Sequence, residues 1–357
     1  MTPAAAGEPD GIPSPVAGDG TPAALTPAGG PASAVTPAGG PPPIEVRGLV
    51  KRYGALTAVA GVDLTVQTGD VYGYLGPNGA GKTTSLRMML GLISPTEGEV
   101  RLFGRDPMQG IAALEGVAGF VEAPTFYPYL SARRNLELLA AFDGGDAGDR
   151  IEPALETVEL TDRQRDRVGG FSHGMRQRLG IAAALLRAPR LLLLDEPATG
   201  LDPAGMRDMR LLIRQLASQG MTVLLSSHLL NEVEDVCNRV AIVRAGRIVY
   251  EGEISALKRG AGTRYRLETT DDERALAVCR AQPAVSDVSL DHGRISFVAD
   301  EATAAELSQA LVESGALIVA MAPQTVTLED LFFSFTEGDG AAAAAGDRSL
   351  PAREATV

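Results

Sequence analysis

The sequence predicts an α/β fold, with a parallel central sheet, an antiparallel edge and a small α+β unit behind it. Three observations predict it. Leu191-Leu192-Leu193-Leu194 and Thr222-Val223-Leu224-Leu225-Ser226 are short apolar runs of the kind found in strands covered on both faces. Between residues 44 and 260 such runs alternate with segments of helical periodicity, the order that builds a parallel sheet. Residues 240–243 and 247–250, joined by Arg244-Ala245-Gly246, read as a hairpin and supply the antiparallel edge.

Taken in order, residues 1–43 are rich in Pro, Ala, Gly, Thr and Ser, and Thr-Pro-Ala-Gly-Gly occurs at 26–30 and again at 36–40. Such a segment buries too little to offset the entropy of ordering it, so it reads as a disordered tail. Residues 338–357, rich in Ala and Gly, read the same way. Ile44-Glu45-Val46 and Val62-Asp63-Leu64-Thr65-Val66 alternate as half-buried strands. Val71-Tyr72-Gly73-Tyr74-Leu75 is a strand that runs directly into a glycine-rich loop. A helix starting near Lys82 then carries Leu86, Met89 and Leu90 at helical spacing. The character changes after residue 260. Residues 264–269 and 294–298 alternate as strands while 273–281 and 302–314 are helical, so 261–337 reads as a small α+β domain without catalytic spacing. His292 there sits in Asp-His-Gly and reads as a solvated turn residue.

The bulk numbers narrow the function. A chain of 357 residues has room for about two domains, and 45% hydrophobic residues can form a substantial core. The net charge is −13, aromatic residues make up 4% and Trp is absent, so neither a basic face nor a stacking surface for nucleic acid is expected. Cys237 and Cys279 form no CxxC or Cys/His ligand spacing, which speaks against a disulfide framework or a zinc site. No stretch approaches the ~18 apolar residues that cross a bilayer. No Lys or Arg precedes Arg47, so the charged start of a secretory signal is missing. The chain is expected to be soluble and cytosolic, and any membrane role to come through a partner.

Chemistry enters at Gly76-Pro77-Asn78-Gly79-Ala80-Gly81-Lys82-Thr83. This G-x-x-x-x-G-K-T spacing turns successive backbone N–H groups into one cavity that cradles a polyphosphate. Lys82 brings positive charge to the β- and γ-phosphates, the Thr83 hydroxyl can ligate Mg²⁺, and the helix beginning there adds its N-terminal dipole. Leu191-Leu192-Leu193-Leu194-Asp195-Glu196-Pro197 places two carboxylates at the carboxyl end of a buried strand, where α/β sheets bind ligands. Asp195 can hold Mg²⁺ through water, and Glu196 can polarise an attacking water.

With these two elements in place, residues 44–255 resemble the ATP-binding-cassette ATPases, a P-loop NTPase fold. Phe171-Ser172-His173-Gly174-Met175-Arg176-Gln177-Arg178 is similar to that family's signature motif, and Leu201-Asp202 to its D-loop. Ser226-Ser227-His228 matches the switch-histidine loop, and Tyr53 in Lys51-Arg52-Tyr53-Gly54 the aromatic that stacks on adenine. The resemblance implies ATP and Mg²⁺ as cofactors. It implies catalytic roles for Lys82, Glu196 and His228, and metal ligation by Thr83, Asp195 and Glu122. Nucleotide contacts would come from Tyr53, Gly76, Pro77, Asn78, Gly79, Ala80, Gly81, Lys82, Thr83 and Thr84. Ser172, Gly174 and Asp202 would be contributed across a head-to-tail pair of cassettes.

The departures from the pattern are informative. Glu122, in Val121-Glu122-Ala123-Pro124, stands where glutamine is usual; His173 stands where glycine is common, and Met175 where glutamine is. These variants resemble the drug- and antibiotic-export branch, of bacitracin and lantibiotic type. A helical insert at about 123–175 would meet a separate membrane permease, with Phe126, Tyr127 and Tyr129 either gripping it or forming a local core. The resemblance thus implies an ATP-hydrolysing exporter subunit, peripheral on the cytoplasmic face of the membrane. The alternatives are a soluble cassette ATPase acting on ribosomes or DNA, and a catalytically weak regulatory module. The first calls for two cassettes in one chain or a long coiled-coil insert, and the intact Lys82, Asp195, Glu196 and His228 argue against the second.

Overall fold

The computed structural model describes residues 40–143, 145–260, 263–291, 293–324, 327–329 and 332, all within the unit Pro37–Val357. His292, residues 1–39 of the first expected tail and the whole of 338–357 lie outside the described residues.

Two strands, β1 (Ile44–Tyr53) and β2 (Leu56–Val66), pair antiparallel with the register Ile44↔Val66. β3 (Val71–Leu75) leads to α1 (Lys82–Met89), and β4 (Glu97–Leu102) pairs with β1 on its other side. β5 (Val117–Phe120) precedes α2 (Ala132–Asp143), α3 (Ile151–Thr157) and α4 (His173–Leu185). β6 (Leu191–Asp195), α5 (Pro203–Ser218), β7 (Thr222–Ser227) and α6 (Leu230–Val236) follow, then the hairpin β8 (Arg239–Arg244) and β9 (Arg247–Glu253) and α7 (Ile254–Gly260). The six-stranded sheet has the order β5-β6-β7-β3-β8-β9; its pairs are parallel except β8 with β9, the expected antiparallel edge. Beside it stands the three-stranded sheet β2-β1-β4.

The four leucines of β6 show why this strand is apolar throughout. Each is 0% exposed; Leu192 and Leu194 join one core, among α2–α6, while Leu191 and Leu193 join the other, against α1 and the three-stranded sheet. Alternate side chains point to opposite faces, so a strand in the middle layer needs apolar residues at every position. Burying each contributes about 1.5–3 kcal/mol. That anchoring fixes the end of β6, where Asp195 and Glu196 emerge.

Beyond α7 come β10 (Thr263–Thr269), α8 (Asp272–Ala281), β11 (Ser286–Asp291), β12 (Arg294–Ala299), α9 (Glu301–Ser314) and β13 (Ile318–Gln324). The sheet order β11-β12-β10-β13, antiparallel throughout, is that of the ferredoxin-like β-α-β-β-α-β motif. Its core includes Tyr265, Leu267, Phe297 and Leu307. The chain then returns to the larger unit, where Leu328 is buried in the same core as Ile254 and Leu257. Both connections meet Glu234 of α6: Lys258 Nζ pairs with one carboxylate oxygen and the Leu328 N–H donates to the other at 2.7 Å. No helix among the described residues is long and apolar enough to cross a membrane.

Candidate active site

β3 delivers the chain to the glycine-rich loop. Gly81, the N-cap of α1, has φ 100°, and a Cβ there would lie 2.3 Å from the Ala58 carbonyl oxygen. Only glycine lets the loop turn at that distance beneath β2. The first amides of α1 have no partner within the helix, so together with the dipole they form an anion-binding end. Lys82 is 6% exposed; its Nζ donates to the Gly76 carbonyl at 2.8 Å and lies 3.2 Å from Glu196 Oε1.

The two acids at the end of β6 are tied to the neighbouring strand. Ser226 Oγ donates to Asp195 Oδ1 at 2.5 Å and accepts from the Glu196 N–H at 3.0 Å. Glu196 has φ 50°, a left-handed conformation that costs a non-glycine residue of order 1–3 kcal/mol and is held by its surroundings. Its Oε2 accepts from Thr199 Oγ1 at 2.7 Å and meets His228 Nδ1 at 2.6 Å. A carboxylate only accepts, so Nδ1 carries the proton. Burial pushes the Glu196 carboxyl up, but the Thr199 hydroxyl, the Lys82 ammonium and His228 together hold it below the ordinary 4.5. The group is ionised at neutral pH, as a general base must be.

A cavity of 550 Å³ opens over the loop. Tyr53, Leu56 and Ala58 line it together with Lys82, Thr83, Glu196 and His228. The Tyr53 ring is half exposed, with Lys51 Nζ 5.1 Å from its centroid. The structure therefore brings Tyr53, Asn78, Gly79, Gly81, Lys82, Thr83, Thr84, Glu196 and His228 together around one space. Ser172, Gly174 and Asp202 line a separate cavity of 490 Å³. There Ser172 caps α4, accepting from Met175 N at 3.2 Å, and Asp202 caps α5, accepting from Gly205 N at 2.9 Å. The Glu122 carboxylate is engaged by the Arg87 guanidinium of α1, and its φ of 70° marks a tight turn after β5. Asp195 offers a fixed carboxylate at the strand end, and Thr83 is a hydroxyl on the cavity wall. Hard oxygen donors of this kind, few in number, suit Mg²⁺, which binds through one or two carboxylates and completes its shell with phosphate and water.

Sequence reasoning missed Thr199. It stands three positions after Glu196 with its hydroxyl on the carboxylate, and that i+3 placement within a turn was the available signal.

The family model described as ABC transporter matches residues 59–199. The bacitracin transport ATP-binding protein of Enterococcus faecalis is 36% identical over 301 residues, covering 84% of this chain and 98% of that protein. The lantibiotic transport ATP-binding protein of Streptococcus pyogenes is 38% identical over 210 residues, 59% of this chain and 90% of that one. Among solved structures, an ATP-binding subunit of an ABC transporter aligns with a TM-score of 0.55 and 29% identity, over 61% of this chain and 92% of its own.

Proposed function

The chain belongs to the ATP-binding proteins of ABC transporters, and from that premise we propose that it powers export of a peptide antibiotic or drug through a separate membrane subunit. It binds and hydrolyses ATP. The observation that carries the reading is the convergence of Lys82, Glu196 and His228 on the cavity above the phosphate loop.

In this reading Tyr53 stacks on the adenine, contributing about 1–3 kcal/mol by analogy with base stacking on aromatics. The loop amides and Lys82 hold the phosphates, and Lys82 transfers from Glu196 to the more highly charged γ-phosphate. Glu196, released from Lys82 and still oriented by Thr199, takes a proton from the attacking water. His228 steadies the γ-phosphate. Thr83 and Asp195, with Glu122 as a third ligand, would hold Mg²⁺, which supplies charge neutralisation on the phosphates. Residues 44–260 form the cassette, with its helical insert at about 123–175, and the accessory domain expected over 261–337 has its own core between β10 and β13, with Leu328 back in the core of the cassette.

Two cassettes pair head to tail, so that Ser172 and Gly174 of one close on the nucleotide of the other, with Asp202 at the junction. Their position in a cavity apart from Lys82 supports this arrangement. For the membrane subunit, the insert and the end of β5 frame a groove of 300 Å³ lined by Phe120, Phe126, Leu139 and Phe142, with Phe142 89% exposed. A helix with apolar anchors fits such a groove. The chain then sits peripherally on the cytoplasmic face.

The test is co-expression with a neighbouring reading frame that encodes several apolar spans, in a bacterium sensitive to bacitracin and to a lantibiotic. Tolerance to one of them should rise, and Lys82→Ala should abolish the gain. Equal tolerance with Lys82→Ala, or fractionation of the chain with ribosomes instead of membranes, would overturn the reading.

A further inference from the structure

The signature turn reaches the catalytic carboxylate through a side chain at a position where the family commonly has glycine. His173, the first residue of α4, brings Nε2 to 3.0 Å from the Thr199 carbonyl oxygen. A carbonyl only accepts, so Nε2 carries the proton and donates it. The ring lies against the loop: a Cβ at Gly200 would meet its Cδ2 and Nε2 at 3.5 Å. Gln177, one turn along and 3% exposed, approaches the same nitrogen at 3.5 Å, and its Oε1 has no hydrogen-bond partner among the described residues. Thr199 in turn donates from Oγ1 to Glu196 Oε2 at 2.7 Å. His173 thus holds Thr199 by its main chain, and Thr199 holds Glu196 by its side chain.

We propose that His173 is a positioning residue for Glu196. By fixing the Thr199 carbonyl it aims the Thr199 hydroxyl at the base, and it ties the setting of that base to the state of the signature turn. The second half rests on the head-to-tail reading given above. A γ-phosphate drawn to Ser172 and Gly174 in the partner's site acts on the residue between them, and through it on the base of the chain's own site. Each cassette then reports the occupancy of one site to the chemistry of the other. A glycine at position 173 has no atom with which to make this link.

The experiment compares steady-state ATP hydrolysis by the purified full chain with that of His173→Gly, His173→Gln and Thr199→Val. His173→Gly should lower kcat by about tenfold, the scale of a small misplacement of a reacting group, and leave KM for ATP unchanged. His173→Gln, whose amide can still donate to the carbonyl, should recover most of the rate. Thr199→Val should lose as much as His173→Gly, and the double variant no more than either, because both break one path. A parent kcat in His173→Gly, a loss confined to KM, failure of Gln to rescue, or multiplying losses in the double variant would overturn the proposal. ATP-driven dimer formation in the Glu196→Gln background separates the two readings. A monomer there removes the head-to-tail arrangement and the link between sites, while the kcat comparison still decides the link within one chain.

Discussion

Replacing Glu196 by Gln removes a charge while keeping the shape. The amide oxygen can still accept from Thr199 Oγ1, now 2.7 Å from the carboxylate, so the orientation of the side chain survives. What is lost is the negative charge 3.2 Å from Lys82 Nζ and the anionic acceptor 2.6 Å from His228 Nδ1. A neutral amide cannot take a proton from water, and loss of a general base typically costs about 10²–10⁴-fold in rate. At 1.36 kcal/mol per tenfold this adds about 3–5 kcal/mol to the barrier. Binding moves in the other direction, since the carboxylate competes for Lys82 and repels the γ-phosphate. The assay is phosphate release at saturating ATP, alongside retention of labelled ATP through gel filtration. The variant should turn over at least a hundredfold more slowly and retain ATP in a dimer. Hydrolysis at the parent rate would show that the proton of the attacking water goes elsewhere. A rate loss matched by an equal loss of ATP affinity would make Glu196 a prop for Lys82 and not the base.

Tyr53→Ala should weaken ATP binding by about 1–3 kcal/mol in a calorimetric titration while leaving inorganic tripolyphosphate binding unchanged. Gly81→Ala sets a Cβ 2.3 Å from the Ala58 carbonyl at a φ of 100°. It should lower the urea-unfolding free energy by about 1–3 kcal/mol and abolish ATP binding. The Glu196 carboxyl is held below its ordinary 4.5 in the folded chain, so its stabilising contribution is fully present above that value and is lost as pH falls through the folded-state value. The unfolding free-energy difference between the parent and Glu196→Gln should therefore be constant from neutral pH down to about 5 and shrink below 4.5; a difference that changes between pH 6 and 8 would contradict the depressed value.

The sequence was most legible where one residue type has one physical use. The four leucines before Asp195 could only be a strand buried on both faces, and the glycines around Lys82 could only be a tight loop. The hairpin at β8 and β9 was equally plain. Strand β4, Glu-Gly-Glu-Val-Arg-Leu, was not, because its identity comes from pairing with β1 across about fifty residues and not from its own pattern. β11 escaped for the same reason, with Ser and Asp among its residues and β12 as its partner. At the site, the motif residues were found by spacing, which is local. The Arg87 partner of Glu122, the Ser226 bridge between the two acids and the His173 contact to Thr199 are all tertiary, and nothing in the spacing of these residues announces them.

The meeting of two connections on Glu234 has a consequence for how this chain can be altered. The four-stranded unit leaves the cassette through Lys258 and rejoins it at Leu328, and both touch one carboxylate of α6. Its ends are thereby held side by side, the condition under which a folded segment can be exchanged as a plug without disturbing its host. A foreign domain with adjoining termini could be spliced into this place, provided the Lys258 and Leu328 contacts are kept, and the phosphate loop and its carboxylates would remain as they are.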